Sequence, residues 1–317
     1  MRWGILGPGR ISRSFLTGLA GSATEHAVAV GSRDLARAEA AAQEFGVDRA
    51  YGSYEELLAD DTVEAVYVGT PNSVHAPWAI AAAAAGKHVL CEKPLGVSPA
   101  EAESMFTAAR EHGVRLMEAF MYRFHPRTLR LAELVAAGDI GTPTLVRASF
   151  GFAVADTANV RLSADLAGGA LMDVGCYPVN AARMLAGPVA RASANARWQD
   201  VDVTLAGLLD HEGGALSLVS CSLVSGRHNV LQVIGADGVI DMPEAFTPPK
   251  DQSSTLLVAR GTKTEELTFP PVDQYTAEAE GFAALVAAGH DADLPQMPLV
   301  ESLDNARTIE ALLASAR

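Results

Sequence analysis

Over the first 120 residues, short apolar runs alternate with stretches of helical period. Residues 3–6, 27–31, 65–69, 88–91 and 114–119 read as strands, with the unbroken apolarity of buried ones. Between them, a segment running to Leu19 and residues 35–45, 54–59, 73–85 and 99–112 carry helical patterns. The alanine run within 73–85 simply reflects helix propensity. Strands and helices alternating at this rhythm predict a doubly wound parallel sheet.

After Ala119 the pattern changes. The run Phe120-Met121-Tyr122-Arg123-Phe124-His125-Pro126 mixes aromatic and cationic groups and is unlike a sheet strand. A helix over 127–137 follows, with a turn at Gly141-Thr142-Pro143. Beyond it strands dominate, at 144–152, 191–200, 203–209, 215–223, 229–235 and 256–259. Hairpin turns are expected at Glu212-Gly213-Gly214 and Asp237-Gly238. The expectation is α/β plus α+β, with domain 1–119 followed by domain 120–317 built on a large, mostly antiparallel sheet. Helices over 277–288 and 302–316 close the chain, and the pattern does not assign them to either domain.

Length and composition agree with two soluble domains, at 317 residues, 49% hydrophobic and 20% charged. The longest apolar run, 76–85, is far short of a membrane span. A net charge of −14 argues against nucleic acid or an anionic membrane as partner, so local donors must hold any anionic ligand. Three cysteines, Cys91, Cys176 and Cys221, show no metal-type spacing, so no metal site is expected and a reducing compartment is favoured. The chain starts directly on a strand and a glycine turn, without a cleavage-site pattern, so a cytoplasmic location is expected.

Candidate chemistry clusters at the carboxyl ends of the predicted strands, where open parallel sheets hold ligands. In Gly7-Pro8-Gly9-Arg10-Ile11-Ser12, Gly7 permits a tight turn and Gly9 lets the backbone approach a pyrophosphate. Arg10 and Ile11 open the helix that would receive it, and Ser12 replaces the third glycine of the fingerprint. At the second strand end stand Ser32 and Arg33, with Arg37 one helical turn later and Asp34 out of place for a ribose hydroxyl. That arrangement predicts NADP(H) over NAD(H). Thr70, Asn72 and His75 are further cofactor candidates, although a histidine at a helix start is commonly structural. Glu92-Lys93-Pro94 would present an ammonium to the cleft; the plain alternative is a surface lysine in a strand-to-helix loop.

A second constellation lies at Gly168-Gly169-Ala170-Leu171-Met172-Asp173-Val174-Gly175-Cys176-Tyr177-Pro178. Paired glycines allow close backbone approach to a ligand or another domain. On a helix Asp173 and Tyr177 would share a face, while Pro178 leaves the helix start open between Asp173 and Tyr177. A capping aspartate and a core tyrosine are the structural alternative. Hydride transfer at an alcohol carbon requires the hydroxyl proton to move. Tyrosine, with an ordinary pKa of about 10, is a poor base near neutrality unless positive charge favours its phenolate. Lys93 and Tyr177 therefore form a chemical couple.

The glycine turn, Thr70-Pro71-Asn72-Ser73-Val74-His75, the Gly86–Pro94 stretch and the glycine–aspartate segment together resemble the glucose–fructose oxidoreductase/inositol dehydrogenase (Gfo/Idh/MocA) family. The resemblance extends through Gly235-Ala236-Asp237-Gly238-Val239-Ile240 to the C-terminal helix. It implies a Rossmann domain, then a domain for substrate binding whose open sheet commonly makes a homodimer or homotetramer. Many members carry histidine where this chain has Tyr177; the departure resembles the branch with dimeric dihydrodiol dehydrogenase and NADP-dependent D-xylose dehydrogenase. Carried over by position, Lys93 is the catalytic lysine, Tyr177 the proton donor or acceptor and Asp173 the substrate-orienting carboxylate. Arg123 and Arg161 become pocket residues or braces of the domain interface. With no N-terminal arm to bury it, the cofactor is expected to exchange. The implied activity is oxidation of a sugar or polyol CH–OH carbon or its reversal. The alternatives are a trans-dihydrodiol dehydrogenase or a non-catalytic NADP(H)-binding sensor.

Overall fold

The structure, a computed structural model, describes residues 1–289 and 294–317. The chain runs β1 (Arg2–Leu6), α1 (Arg10–Gly21), β2 (His26–Gly31), α2 (Leu35–Phe45), β3 (Arg49–Tyr51), α3 (Tyr54–Leu58), β4 (Ala65–Val68), α4 (His75–Ala84), β5 (His88–Glu92), α5 (Pro99–Glu111) and β6 (Leu116–Ala119). It continues with α6 (Pro126–Ala136), β7 (Pro143–Ala153), a π-helical turn (Leu171–Gly175), α7 (Cys176–Ala186), β8 (Val189–Trp198), β9 (Asp202–His211) and β10 (Leu216–Ser222). After these come β11 (Val224–Gly235), β12 (Gly238–Pro243), β13 (Ser254–Arg260), β14 (Lys263–Phe269), α8 (Gln274–Ala288) and α9 (Leu299–Ser315). They form two compact units, Met1–Phe124 with Asp273–Leu303, and His125–Val272 with Asp304–Arg317.

In the first unit, six strands pair in parallel in the order β3-β2-β1-β4-β5-β6. This is the order of a doubly wound dinucleotide-binding sheet, and its direction reverses beside β1. Trp3, Ile5, Val66, Val68, Val89 and Leu90 are fully buried, which is why these strands read as unbroken apolar runs. The helix starts follow from side-chain capping. Ser53 accepts from the Glu56 N–H at 3.1 Å and Ser98 from the Glu101 N–H at 3.2 Å, each the first residue of a Ser-x-x-Glu box. Such caps contribute about 1 kcal/mol apiece.

One element departs from the expected boundary at Ala119. α8 follows the second sheet in sequence yet packs within the first unit, against α1 and residues 121–124. Two glycines make that contact possible. A Cβ on Gly18 would stand 2.6 Å from that of Tyr275, and one on Gly281 would overlap the Phe124 ring. Among the described residues no helix is long and apolar enough to cross a membrane.

The second unit is an eight-stranded sheet ordered β14-β13-β12-β11-β7-β10-β9-β8. It is antiparallel except where β10 runs parallel to β7. α7 covers one face, and its first seven residues are all buried. β12 and β14 were not expected from the sequence. β14 carries Lys263, Glu265 and Glu266 in an exposed edge strand, where charge suits an unpaired edge but obscures apolar alternation.

Candidate active site

The first unit contributes a phosphate-sized turn between β1 and α1. Gly7 adopts φ +83°, a conformation that favours glycine, and its N–H bonds the Gly31 carbonyl at 3.0 Å. A Cβ on Gly9 would meet nothing nearer than the Gly69 carbonyl oxygen at 3.9 Å, so this backbone face stays open to a ligand. Gly9 offers no side-chain cap, which leaves the first N–H groups of α1 for an anion. Ser12 is buried and donates to the Gly7 carbonyl at 2.6 Å. Its hydroxyl occupies the space that a side chain at Gly69 would need, which keeps α1 close to the sheet. Arg10 is exposed and Ile11 half-buried at the head of the helix.

At the end of β2, Asp34 is committed to capping α2, accepting from the Ala36 N–H at 3.0 Å. Buried Ser32 accepts from the Asp34 N–H at 3.2 Å. Arg33 and Arg37 are exposed, and both lie near enough to Tyr54 to favour its phenolate, though burial still raises its pKa. The carboxylate that could have met a ribose hydroxyl is therefore engaged, whereas two guanidinium groups face solvent together.

The β4 and β5 ends are tied to each other. His75 is buried with its ring nitrogens 2.9 Å from the carbonyl oxygens of Pro94 and Thr70. Burial and then the Lys93 charge lower its pKa, so a neutral ring donates to one of these carbonyls. With both nitrogens facing main chain, His75 braces the loops, as the structural alternative expects. Thr70 keeps a buried hydroxyl with no hydrogen-bond partner among the described residues, and Asn72 begins the single turn that leads into α4.

Glu92 is buried and accepts a hydrogen bond from the Tyr67 hydroxyl; it also accepts from the Lys93 N–H at 3.2 Å. Lys93 is half-buried and precedes a cis proline. Two further carboxyls stand near this loop. Glu118 accepts from the Leu95 N–H at 3.0 Å, and burial pushes its pKa up to about 7 despite the charges of Arg123 and Lys93. Glu278 of α8 is fully buried with neither oxygen hydrogen-bonded among the described residues, and burial, then Glu92, raises it well above the carboxylate range. Such a carboxyl stays protonated. Tyr275, one turn earlier, is raised by burial and then by Glu92 and Glu278, while Arg10 opposes this.

Arg123 is engaged within the first unit. Its side chain is 0% exposed and donates to the carbonyls of Pro295 and Gln296 at 3.0 and 2.9 Å. It also pairs with Glu301 at 2.9 Å, so its guanidinium fastens a segment of its own unit.

The second unit holds Asp173 and Tyr177. Gly168 and Gly169 donate to the carbonyls of Ser163 and Arg161 at 2.9 and 2.8 Å. Their close approach is thus to their own unit. The π turn runs directly into α7, so the helical segment that begins at Leu171 carries both Asp173 and Tyr177. Pro178 is the third residue of α7, directly after the π turn, so the break its missing N–H makes falls where the hydrogen-bond register already changes. Gly175 allows the turn to sit on β10, since a Cβ there would stand 2.7 Å from the Cys221 sulfur. Asp173 accepts from Arg161 Nε at 2.6 Å, and the Arg161 guanidinium lies 5.9 Å from the Phe152 ring centroid. The Tyr177 ring packs edge-on against Phe150 and tilted against Phe246, both at 5.5 Å.

Comparison with known proteins agrees with this geometry. The model of the oxidoreductase family with an NAD-binding Rossmann fold matches residues 1–120, and the GFO/IDH/MocA C-terminal domain matches 128–241. The chain belongs to the Gfo/Idh/MocA family. It is 42% identical to D-xylose 1-dehydrogenase (NADP(+)) 2 of Haloferax volcanii, over 100% of this chain and 97% of that protein. It is 40% identical to trans-1,2-dihydrobenzene-1,2-diol dehydrogenase of Mus musculus, over 86% and 80% respectively. A 3-ketoreductase from Actinomadura kijaniata, solved with NADP and TDP-benzene, superposes with TM-score 0.91. It shares 32% identity and covers 100% of this chain and 98% of its own.

This Gfo/Idh/MocA chain is an oxidoreductase, and several residues around its site escaped the sequence reading. Tyr67 and Glu118 left a trace as polar groups inside otherwise apolar strands. Glu278 and Tyr275 left none, because only the fold brings α8 to the first sheet. Phe150 and Phe246, far apart in sequence, meet Tyr177 only through the second sheet.

Proposed function

We propose that this chain is an NADP(H)-dependent enzyme moving hydride to or from a CH–OH carbon of a sugar or polyol. The observation that carries the reading is the helical segment on which Asp173, held by Arg161, stands one turn from Tyr177. The first-unit turn and the Arg33/Arg37 pair suit a phosphorylated dinucleotide, and the names of the xylose dehydrogenase and the 3-ketoreductase support the choice. When bound, NADP(H) supplies the hydride donor or acceptor. Tyr177 takes the substrate hydroxyl proton in oxidation and returns it in reduction. Lys93 contributes the positive charge that favours the phenolate. Asp173 accepts a hydrogen bond from a neighbouring hydroxyl and orients the ring, and the Arg161 contact fixes the carboxylate in place.

A second reading is oxidation of a trans-dihydrodiol. The 40% identity to the Mus musculus trans-1,2-dihydrobenzene-1,2-diol dehydrogenase supports it. Nicotinamide absorbance over D-xylose, other aldoses, keto-sugars and a trans-dihydrodiol tests both readings. Lys93→Met and Tyr177→Phe are each expected to lower kcat by about 100-fold or more while NADPH still binds. Normal kcat in either variant would falsify the proton-transfer roles. Binding of NADPH without turnover of any of these compounds would instead favour the sensor. We propose further that a second copy of the chain covers the open face of the eight-stranded sheet.

A further inference from the structure

Asp202, the first residue of β9, lies inside the second unit and is only 2% exposed. Its Oδ2 accepts from the Leu171 N–H at 2.7 Å, and the backbone N–H groups of Asp202 itself and of Ala170 also favour its charge. Leu171 is buried, so without this acceptor its N–H would be shut away from water unpaired. Its Oδ1 fills the space beside Gly169, whose φ of +124° and missing Cβ are both needed there. Gly169 in turn donates to the Arg161 carbonyl at 2.8 Å and accepts from the Asp173 N–H at 3.0 Å. One carboxylate thus fastens residues 169–171, to which the Arg161 loop and the first turn of the Asp173 segment are both tied.

We infer that Asp202 is a positioning residue for the reaction, fixing through the 169–171 backbone where Asp173 and Tyr177 stand. The inference rests on the proposed roles of those two residues. Asp202 itself is too deeply buried to meet a substrate. Facing it are Cys221 of β10 and, beyond that thiol, Cys176 of α7 and Asp173. No cation is among the groups acting on its charge, so backbone N–H groups alone offset its burial, and its pKa is pushed up to about 6. Two pH effects with opposite signs follow. Burial favours the proton in the folded state, so this group's contribution to stability is full in acid and is lost as pH rises through about 6. The clamp on 170–171 behaves oppositely, because the ionised carboxylate is the better acceptor.

Amide hydrogen exchange in the full chain, wild type against Asp202→Asn and Asp202→Ala, tests the inference, with Tyr177→Phe as reference. Protection of residues 170–174 is expected to fall about tenfold in Asp202→Asn and further in Asp202→Ala, with the first unit unchanged. In the wild type, protection there should also weaken below pH 6, and in Asp202→Asn it should be independent of pH. The NADPH Kd should not move, while kcat for any compound turned over in the substrate panel should drop severalfold more than the folded fraction does. Wild-type protection at 170–174 in Asp202→Asn overturns the inference, as does a kcat loss matched by unfolding. Normal kcat in Tyr177→Phe, with exchange at 170–174 still altered in Asp202→Asn, would instead overturn the proposed role of Tyr177.

Discussion

Arg33 and Arg37 stand one helical turn apart on a solvent-facing surface, with no carboxylate among their hydrogen-bonded partners in the described residues. Asp34 between them is turned into α2 as its cap, so a ribose 2′-hydroxyl would find no acid there. A 2′-phosphate would find two cations. Charge-assisted hydrogen bonds of this kind are worth about 1.5–3 kcal/mol. Arg33→Ala with Arg37→Ala should therefore raise KM for NADPH by about 10- to 100-fold or more and change KM for NADH little. Steady-state kinetics with both cofactors checks this, and an equal rise for the two would remove the basis for the preference. The pair was legible from the sequence because strand ends are visible as the end of an apolar run. For His75 and Arg123 the sequence left a ligand role open beside a structural one. Their types suit a ligand, but the carbonyls that occupy them come from Pro94, Pro295 and Gln296, which the chain brings near only on folding.

At the scale of elements, strands buried on both faces were the most readable, since their apolarity is uninterrupted over four or five residues. Caps sharpened the helices: α2 begins at Leu35 and ends at Phe45, bounded by the Asp34 cap and Gly46 at φ +67°. The site's helical segment was half legible. Asp173 and Tyr177 do belong to it, but the π turn that joins them depends on Asp202 and Cys221, which lie 25 or more residues away. α8 shows the same limit. Its period marked a helix, while its partner was decided by Gly18 and Gly281, whose missing side chains admit Tyr275 and Phe124. Gly281→Ala should overpack the Phe124 contact and destabilise the first unit by about 1–3 kcal/mol. Urea unfolding followed by tryptophan fluorescence would report it, since Trp3 contacts Phe282 at 5.5 Å between ring centroids. An unchanged midpoint would mean that the ring simply rotates away.

For the molecule as a whole, the second sheet poses a problem of surface. α7 covers one face, where Val219 and Cys221 are buried, and leaves the alternate residues of β10 outward. Leu216 and Leu218 on that strand are 42% and 47% exposed, and Val230 on β11 is 49% exposed. β10 and β11 flank β7 in the sheet order, so these side chains extend across the middle of the sheet, not along an edge. Single exposed leucines need no explanation, but these three stand on the strands either side of β7, around its Arg147 and Ser149, as a mixed face that a second copy would cover. With a net charge of −14, two copies would meet only if apolar burial outweighed their mutual repulsion. A self-associating sheet meets that condition by placing its apolar rows at the centre of the contact. Leu218→Glu with Val230→Glu puts four carboxylates into a two-copy interface, and their desolvation should convert the assembly to monomers at micromolar concentration. Light scattering coupled to size exclusion reads the mass directly. A wild-type monomer, or an unchanged oligomer in the double variant, would show that the open sheet does not hold the copies together.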